Sequence, residues 1–174
     1  MPLRDHIKHF KQPYPFGCIY YAAQSCVSED VLTGQHLEDA GIWNCHRYLR
    51  RLGYELIPMY YSNIKTCEME DWKSFLPNEE GFHTHLLVSC SSLKYGPDVS
   101  HTVSVLAHND IVTVSDPGLD GLKNYSIGEF LFSPYAKATL IFQILDNTDE
   151  TFPVISVREA PHLADFDWDA YEQC

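Results

Sequence analysis

The chain has few basic residues: 12 Lys and Arg stand against 24 Asp and Glu in 174 residues, a formal net charge of −12. Each phosphate contact needs Lys or Arg to release counterions, so this balance argues against nucleic acid or an anionic membrane as a partner. Long apolar runs are also lacking, whereas a membrane-spanning helix needs about 20 consecutive apolar residues. The sequence therefore predicts a protein that binds neither nucleic acid nor membrane.

Two further features are missing. The N-terminal stretch MPLRDHIKHFKQ has mixed charge and no hydrophobic signal core, which favours a cytoplasmic protein or an effector secreted without a cleavable signal. No Cys-x-x-Cys pair is present, and the cysteines are too sparse for a disulfide scaffold. We therefore expect no metal and no cofactor, and most cysteines reduced and buried. The six cysteines are Cys18, Cys26, Cys45, Cys67, Cys90 and Cys174.

The apolar content is high enough for a compact fold, since 45% of residues are hydrophobic and 13% are aromatic. We expect one domain over residues 1–150, followed by an acidic, aromatic tail over 151–174. Because the last 16 residues contain no Lys or Arg, the tail is interpreted either as a solvated extension or as a docking segment for a partner or for the protein's own groove.

The first half of the chain has mainly helical patterns. Helices are predicted over 18–27 and 36–52, from their apolar spacing, and over 68–76, which starts with acidic residues. Between the last two helices, YELIPMYYS predicts a strand in which Pro58 marks an edge or a bend.

From residue 83 onward the apolar period changes to two, which indicates strands. This order, helices first and strands later, predicts an α+β fold in which the first helix packs on an antiparallel sheet. The predicted strands span 85–90, 101–107, 111–116 and 137–145.

The segment HTVSVLAHNDIVTVSDP (101–117) predicts a β-hairpin. With a turn at His108-Asn109, like residues face like across the strands, and His101 lies directly opposite Asp116.

A turn one residue further on, at Asn109-Asp110, is the alternative. Asp116 then lies opposite Val103, diagonal to His101 but on the same face of the sheet. A slip of a single residue in the pairing would place the two side chains on opposite faces of the sheet. The prediction therefore requires a register that keeps His101 and Asp116 on the same face.

A carboxylate beside an imidazole fixes its tautomer and stabilises the imidazolium. His101 and Asp116 are therefore candidates for catalysis, although a structural pair at the rim of a sheet is the alternative. Two other histidines compete less well, because His85 has no carboxylate placed by an obvious register and His108 is expected in the turn.

Cys18 is the cysteine best placed to react. It opens the first predicted helix, and the free N–H groups and dipole of a helix N-terminus lower the pKa of a thiol. Gln12, six residues earlier, could donate a hydrogen bond to the oxyanion formed when a thiolate attacks an amide carbonyl. A buried apolar role for Cys18 and a surface role for Gln12 are the alternatives.

Together these residues resemble a known family. The order of Gln12, Cys18 opening an Ala-containing helix, His101 in HTVSVL, Asp116 in VTVSDP, and NYSIGEFLFSP (124–134) is similar to the papain-fold peptidases related to double-glycine leader peptidases. The resemblance implies a papain-like fold with Cys18 as nucleophile, His101 as general base, Asp116 as orienting carboxylate and Gln12 as oxyanion donor. The family usually has Gly directly after the cysteine, whereas this chain has Ile19 there.

The predicted function is thiol-dependent hydrolysis or acyl transfer on a peptide bond or side-chain amide of a protein or peptide substrate, as in a cysteine peptidase or a glutamine deamidase. One rival hypothesis is a catalytically silent binding or adaptor module on the same fold. Another is a metal site formed by His83, His85 and Cys90.

Overall fold

A six-stranded antiparallel sheet forms the centre of the computed structural model, which describes residues 3–13, 17–28, 45, 49–62, 64–77 and 81–146. The strands are β1 (Tyr54–Tyr61), β2 (His83–Ser92), β3 (Gly96–His108), β4 (Ile111–Ser115), β5 (Leu122–Ser126) and β6 (Leu140–Asp146). Their order across the sheet is β1-β6-β2-β3-β4-β5, and every neighbouring pair is antiparallel. The predicted α+β class is confirmed.

Three α-helices and one short 3-10 helix have both ends within the described residues. They are α1 (Cys18–Val27), α2 (Met69–Phe75), α3 (Ile127–Leu131) and the 3-10 helix Pro134–Ala136. None of the helices in the described part of the chain has the length and apolar character needed to span a bilayer.

Helix α1 has the predicted bounds and is buried along its length after Cys18. It packs with Ala22 and Ala23 against one face of the sheet, where Leu87 and Phe142 belong to the same core cluster. The helix begins directly after Gly17, which has a φ of +81° that glycine adopts without steric cost. The start of the helix, and therefore the position of Cys18, depends on this backbone conformation.

The other face of the sheet is covered by α2, α3 and the 3-10 helix. Trp72 of α2 packs edge-to-face on Phe130 of α3, with ring centroids 5.0 Å apart, and donates its indole N–H to the carbonyl of Ala136 at 2.7 Å. Both α2 and α3 begin with a capping box, at Glu68 and Ser126. The helical pattern predicted for 68–76 is confirmed.

Two of the four predicted late strands, 85–90 and 101–107, lie within observed strands. The predicted strand 111–116 ends one residue earlier, at Ser115, and the predicted strand 137–145 begins later, at Leu140. Strand β1 has a bulge between Pro58 and Tyr60 and lies at one edge of the sheet, as Pro58 predicted. Strand β5 was not predicted, because its first three residues are exposed and show no apolar alternation.

Two predictions fall largely outside the described residues. Of the helix predicted over 36–52, Cys45 and residues 49–51 are helical. The tail over 151–174 lies entirely outside the described ranges.

The preferred register of the hairpin was wrong, and the alternative register is observed. The turn is Asn109-Asp110, so His108 is not in the turn but pairs with Ile111 at the end of β3. Both turn residues have positive φ, 50° and 65°, as a type I′ turn requires. Gly, Asn and Asp dominate the two central positions of type I′ turns, which favours a turn at Asn109-Asp110 over one at His108-Asn109.

The N-terminal segment, residues 3–13, lies against the sheet and α1. Nε2 of His85 contacts the carbonyl of Arg4 at 2.6 Å, and the backbone N–H of Lys8 donates to Ser25 at 3.2 Å. The side chains of Leu3 and Ile7 are buried. The segment therefore passes from the β2 histidines to the side of α1.

His85 is 1% exposed, and burial lowers its pKa to about 4. Since Arg4 offers a carbonyl, Nε2 of the neutral ring is the donor. In the unfolded chain His85 takes up a proton near pH 6.5, whereas in the folded chain it does so only near pH 4. Stability is therefore lost as the pH falls through this window.

We predict that His85→Gln, which retains a donor but cannot titrate, reduces the loss of folding free energy between about pH 6.5 and pH 4 by up to about 3 kcal/mol. Urea unfolding at a series of pH values measures the difference. Lys137→Gln, at an exposed residue that follows the 3-10 helix, is the control and should keep the wild-type pH dependence. An identical acid profile for His85→Gln and wild type would contradict the prediction.

Candidate active site

The candidate site begins at the N-terminus of α1. The first hydrogen bond of the helix runs from Tyr20 N–H to Gly17 at 3.0 Å, so the N–H groups of Cys18 and Ile19 precede the helical ladder. Such N–H groups, together with the helix dipole, favour negative charge at this end. The local sequence thus places the thiol of Cys18 in a setting that stabilises a thiolate.

Cys18 contacts strand β3 where that strand extends beyond β4. The hydrogen-bonded ladder between β3 and β4 ends at the pair Ser104–Ser115. Two residues before Ser104 in β3, the backbone N–H of Thr102 donates to Cys18 Sγ at 3.3 Å. Burial alone would raise the pKa of Cys18, but hydrogen bonds from His101 and Thr102 and the charge of His101 lower it below its ordinary value. These contacts favour a thiolate at Cys18.

His101 lies between Cys18 and Asp116. Its Nε2 is 2.6 Å from Asp116 Oδ1, and both side chains are 4% exposed. Burial opposes the charge on His101, but the hydrogen bonds and charges of Asp116 and Cys18 outweigh it and raise the pKa to about 9. Since Nε2 faces the carboxylate, Nδ1 is the ring nitrogen left for the thiol. The geometry supports a thiolate–imidazolium pair at neutral pH.

Three donors converge on the Asp116 carboxylate. Besides His101, the Gly118 N–H donates to Oδ1 at 2.9 Å and the Tyr135 hydroxyl donates to Oδ2 at 2.9 Å. Burial raises the pKa of Asp116, but these donors and the charge of His101 hold it below its usual range. The carboxylate is therefore ionised and fixed in orientation.

The Asp116-Pro117-Gly118 stretch forms a tight turn, closed by the Leu119 N–H donating to the Asp116 carbonyl at 3.0 Å. A Cβ on Gly118 would lie 3.3 Å from Asp116 Oδ1 and 3.6 Å from His101 Nε2. Glycine thus lets the backbone approach the buried pair closely.

The other described cysteines differ from Cys18, which is half-buried. Burial raises the pKa of all four, to about 12 at Cys90 and higher elsewhere. The four fully buried cysteines are Cys26, Cys45, Cys67 and Cys90. The expectation of buried, reduced cysteines is confirmed for these four, and Cys174 lies outside the described residues.

Gln12 is buried, with 3% of its surface exposed, and its backbone N–H donates to the Pro117 carbonyl at 2.8 Å. It therefore lies against the turn that follows Asp116, rather than on the open surface. The four residues predicted for the site converge on one region: Gln12 from the N-terminal segment, Cys18 from α1, His101 from β3 and Asp116 from the end of β4.

Sequence reasoning missed three contributors to the site. Thr102 and Gly118 act through their backbone N–H groups, which any residue except proline carries, although the Asp-Pro-Gly turn was a visible signal. Tyr135 lies 19 residues after Asp116 in a separate element. No spacing rule connects it to the carboxylate, so only the tertiary structure could reveal it.

The metal-site hypothesis is not supported by side-chain placement. His83 and His85 are neighbours, with ring centroids 5.6 Å apart. Because side chains alternate along a strand, Cys90 lies on the opposite face of β2 from these two histidines. It packs in the core cluster on the α2 side of the sheet. Among the residues that the structure describes, no three His, Cys, Asp or Glu side chains are grouped so that they could hold a metal ion.

Comparison with known proteins gives no family for this chain: no protein-family model matches it, and no curated protein matches it. The resemblance to papain-fold peptidases therefore stays a prediction. Function must be inferred from the geometry of the site.

We predict that iodoacetamide at about pH 6 labels Cys18 before any other described cysteine, because the thiolate is the reactive form. His101→Gln should slow this labelling about 10-fold or more, since each unit of pKa changes the thiolate fraction by that factor. Mass spectrometry of peptides measures both rates. His108→Gln, a half-buried histidine at the far end of β3, is the control; equal labelling of all three proteins would refute the ion pair.

Removing the hydroxyl of Tyr135 should destabilise the protein. We predict that Tyr135→Phe lowers the free energy of unfolding at neutral pH by about 1–3 kcal/mol, because a buried carboxylate loses a donor. The ionised Asp116 carboxylate stabilises the fold, and this contribution is lost as the pH falls below about 4 and the carboxylate takes up a proton. The difference in free energy of unfolding between wild type and Tyr135→Phe should therefore narrow there. Tyr125→Phe, at a half-buried tyrosine of β5, is the control in urea unfolding. A pH-independent difference would contradict this account.

Proposed function

We propose that the protein is a thiol-dependent amide hydrolase with a papain-like arrangement, in which Cys18 is the nucleophile and His101 is the general acid and base. Asp116 orients the imidazole, and Gln12 donates to the oxyanion. The observation that carries the proposal is the 2.6 Å bond from His101 to Asp116 beside a thiol that accepts from the Thr102 N–H, with the pKa of the thiol lowered by His101.

In the acylation step, the Cys18 thiolate attacks the carbonyl carbon of the amide. The electron pair of the carbonyl moves to oxygen, where the Cys18 N–H and the Gln12 side chain donate hydrogen bonds. His101, as imidazolium, then gives its proton to the leaving nitrogen, and the carbon–nitrogen bond breaks. An amine or ammonia leaves, and a thioester on Cys18 remains.

Water completes the cycle. His101, now neutral, takes a proton from the water as it attacks the thioester carbonyl. The carbon–sulfur bond breaks, the acid product leaves, and the Cys18 thiolate and His101 imidazolium are restored. The raised pKa of His101, about 9, keeps the imidazole protonated at rest, so loss of this proton defines the alkaline limit of activity.

The fold supports this proposal in its local arrangement. A helix that begins at the cysteine packs on an antiparallel sheet, the histidine lies on a central strand, and the carboxylate follows the next strand. The substrate would be a protein or peptide, cut at a peptide bond or hydrolysed at a side-chain amide, and the domain over 1–150 would carry the whole reaction.

The adaptor hypothesis predicts a buried Cys18 that points away from His101. Instead, the thiol is half-buried, accepts a hydrogen bond from the backbone N–H of Thr102, next to His101, and has its pKa lowered by His101. A binding module has no need for a thiolate, whose formation at this buried position requires the surrounding donors. The contacts therefore favour the enzyme over the silent module.

We predict that Cys18→Ala abolishes iodoacetamide-sensitive hydrolysis of protein and peptide substrates while the thermal unfolding midpoint stays within a few degrees of wild type. Mass spectrometry after incubation distinguishes the reactions: fragments indicate peptidase activity, and the mass gain of an amide-to-acid conversion indicates deamidation. Cys26→Ala, on the same helix, is the control and should remain active. A fully active Cys18→Ala protein would refute the proposed function.

A further inference from the structure

His9, in the N-terminal segment, bonds to both ends of the turn that carries Asp116. Its Nδ1 is 2.8 Å from Ser115 Oγ, and its Nε2 is 2.8 Å from the Leu119 carbonyl. Because a carbonyl can only accept, Nε2 donates to Leu119, and Nδ1 shares a hydrogen bond with the Ser115 hydroxyl. One imidazole thus closes the turn from outside.

The same network reaches the helix of the nucleophile. Ser115 Oγ is 3.1 Å from Ser25 Oγ, and Ser25 in turn donates to the Tyr21 carbonyl at 3.0 Å. Both serines are fully buried. His9 is therefore linked through two hydroxyl groups to α1, which begins at Cys18.

Three residues after His9, the backbone of Gln12 is bonded to the same turn. Its N–H donates to the Pro117 carbonyl, and between the two residues Lys11 forms an ion pair with Asp120. This ion pair is exposed and contributes little to stability. The half-buried His9 and the Gln12 amide are the contacts that hold the segment along the turn.

We propose that His9 is a positioning residue that fixes Gln12 at the oxyanion side of the site by holding the N-terminal segment on the turn of residues 115–119. The inference rests on the proposed function for its catalytic consequence, though its structural part does not. Since misplacing a catalytic group by about 1 Å costs about 100-fold in rate, loss of His9 lowers kcat through Gln12.

The structural part is tested by hydrogen exchange at the Gln12 amide, measured by NMR at neutral pH. In His9→Ala this amide should exchange at least about 10-fold faster than in wild type, because its bond to Pro117 opens more often. His6→Ala, at an exposed residue of the same segment, should leave the rate unchanged. Unchanged exchange in His9→Ala would overturn the inference.

Ser115→Ala is the second variant, to be used where His9→Ala does not fold. It removes the hydroxyl partner and keeps the imidazole bonded to Leu119 alone. The Gln12 amide should again exchange faster than in the His6→Ala control. Unchanged exchange in this variant also overturns the inference.

The catalytic part is tested by a double-mutant cycle on kcat. His9→Ala and Gln12→Ala should each lower kcat by about 10- to 100-fold with little change in KM, and the double variant should be no slower than Gln12→Ala alone. If the reductions in kcat of the two single variants multiply in the double variant, His9 does not act through Gln12. If wild type and Cys18→Ala prove equally inactive, the proposed function fails, while amide exchange still decides whether His9 holds the segment.

Discussion

The bond between His101 and Asp116 is the interaction on which the site depends. The imidazole keeps its proton because an ionised carboxylate lies 2.6 Å away, and the protonated imidazole in turn favours the thiolate of Cys18. The carboxylate stays ionised because His101, Gly118 and Tyr135 all donate to it, His101 with the largest effect of the three on its pKa. A buried charge without such donors would cost several kcal/mol, so the charges of Cys18, His101 and Asp116 depend on one another and on the two neutral donors.

The position of the site follows from the unequal lengths of two neighbouring strands. Because β3 continues past the end of β4, the chain after β4 can turn back under His101, and a β3 backbone N–H can bond to sulfur rather than to another strand. For cysteines within the cores, burial is the largest effect on the pKa and raises it. The end of the sheet thus provides partial burial with enough polar partners to reverse that effect at one thiol.

Much of the architecture could be predicted from local pattern. The bounds of α1, the start of α2 and the face shared by His101 and Asp116 follow from periodicity, capping residues and strand parity. The preferred prediction of the hairpin register was wrong because it relied on matching side chains across the strands. The φ angles that the turn requires determine the register instead. Strand β5 was missed because an exposed edge strand needs no apolar alternation; its hydrogen bonds to β4 alone define it.

The sequence by itself determined which side chains could supply the chemistry: a cysteine at a helix start, a histidine and an aspartate on one face of a hairpin, and a glutamine ahead of the helix. The tertiary structure decided their charges and their supports. The pKa of a group depends on donors and burial, which come from residues distant along the chain, such as Tyr135 and His9. Those contacts arise only when separate elements pack together, and no spacing within the sequence encodes them directly.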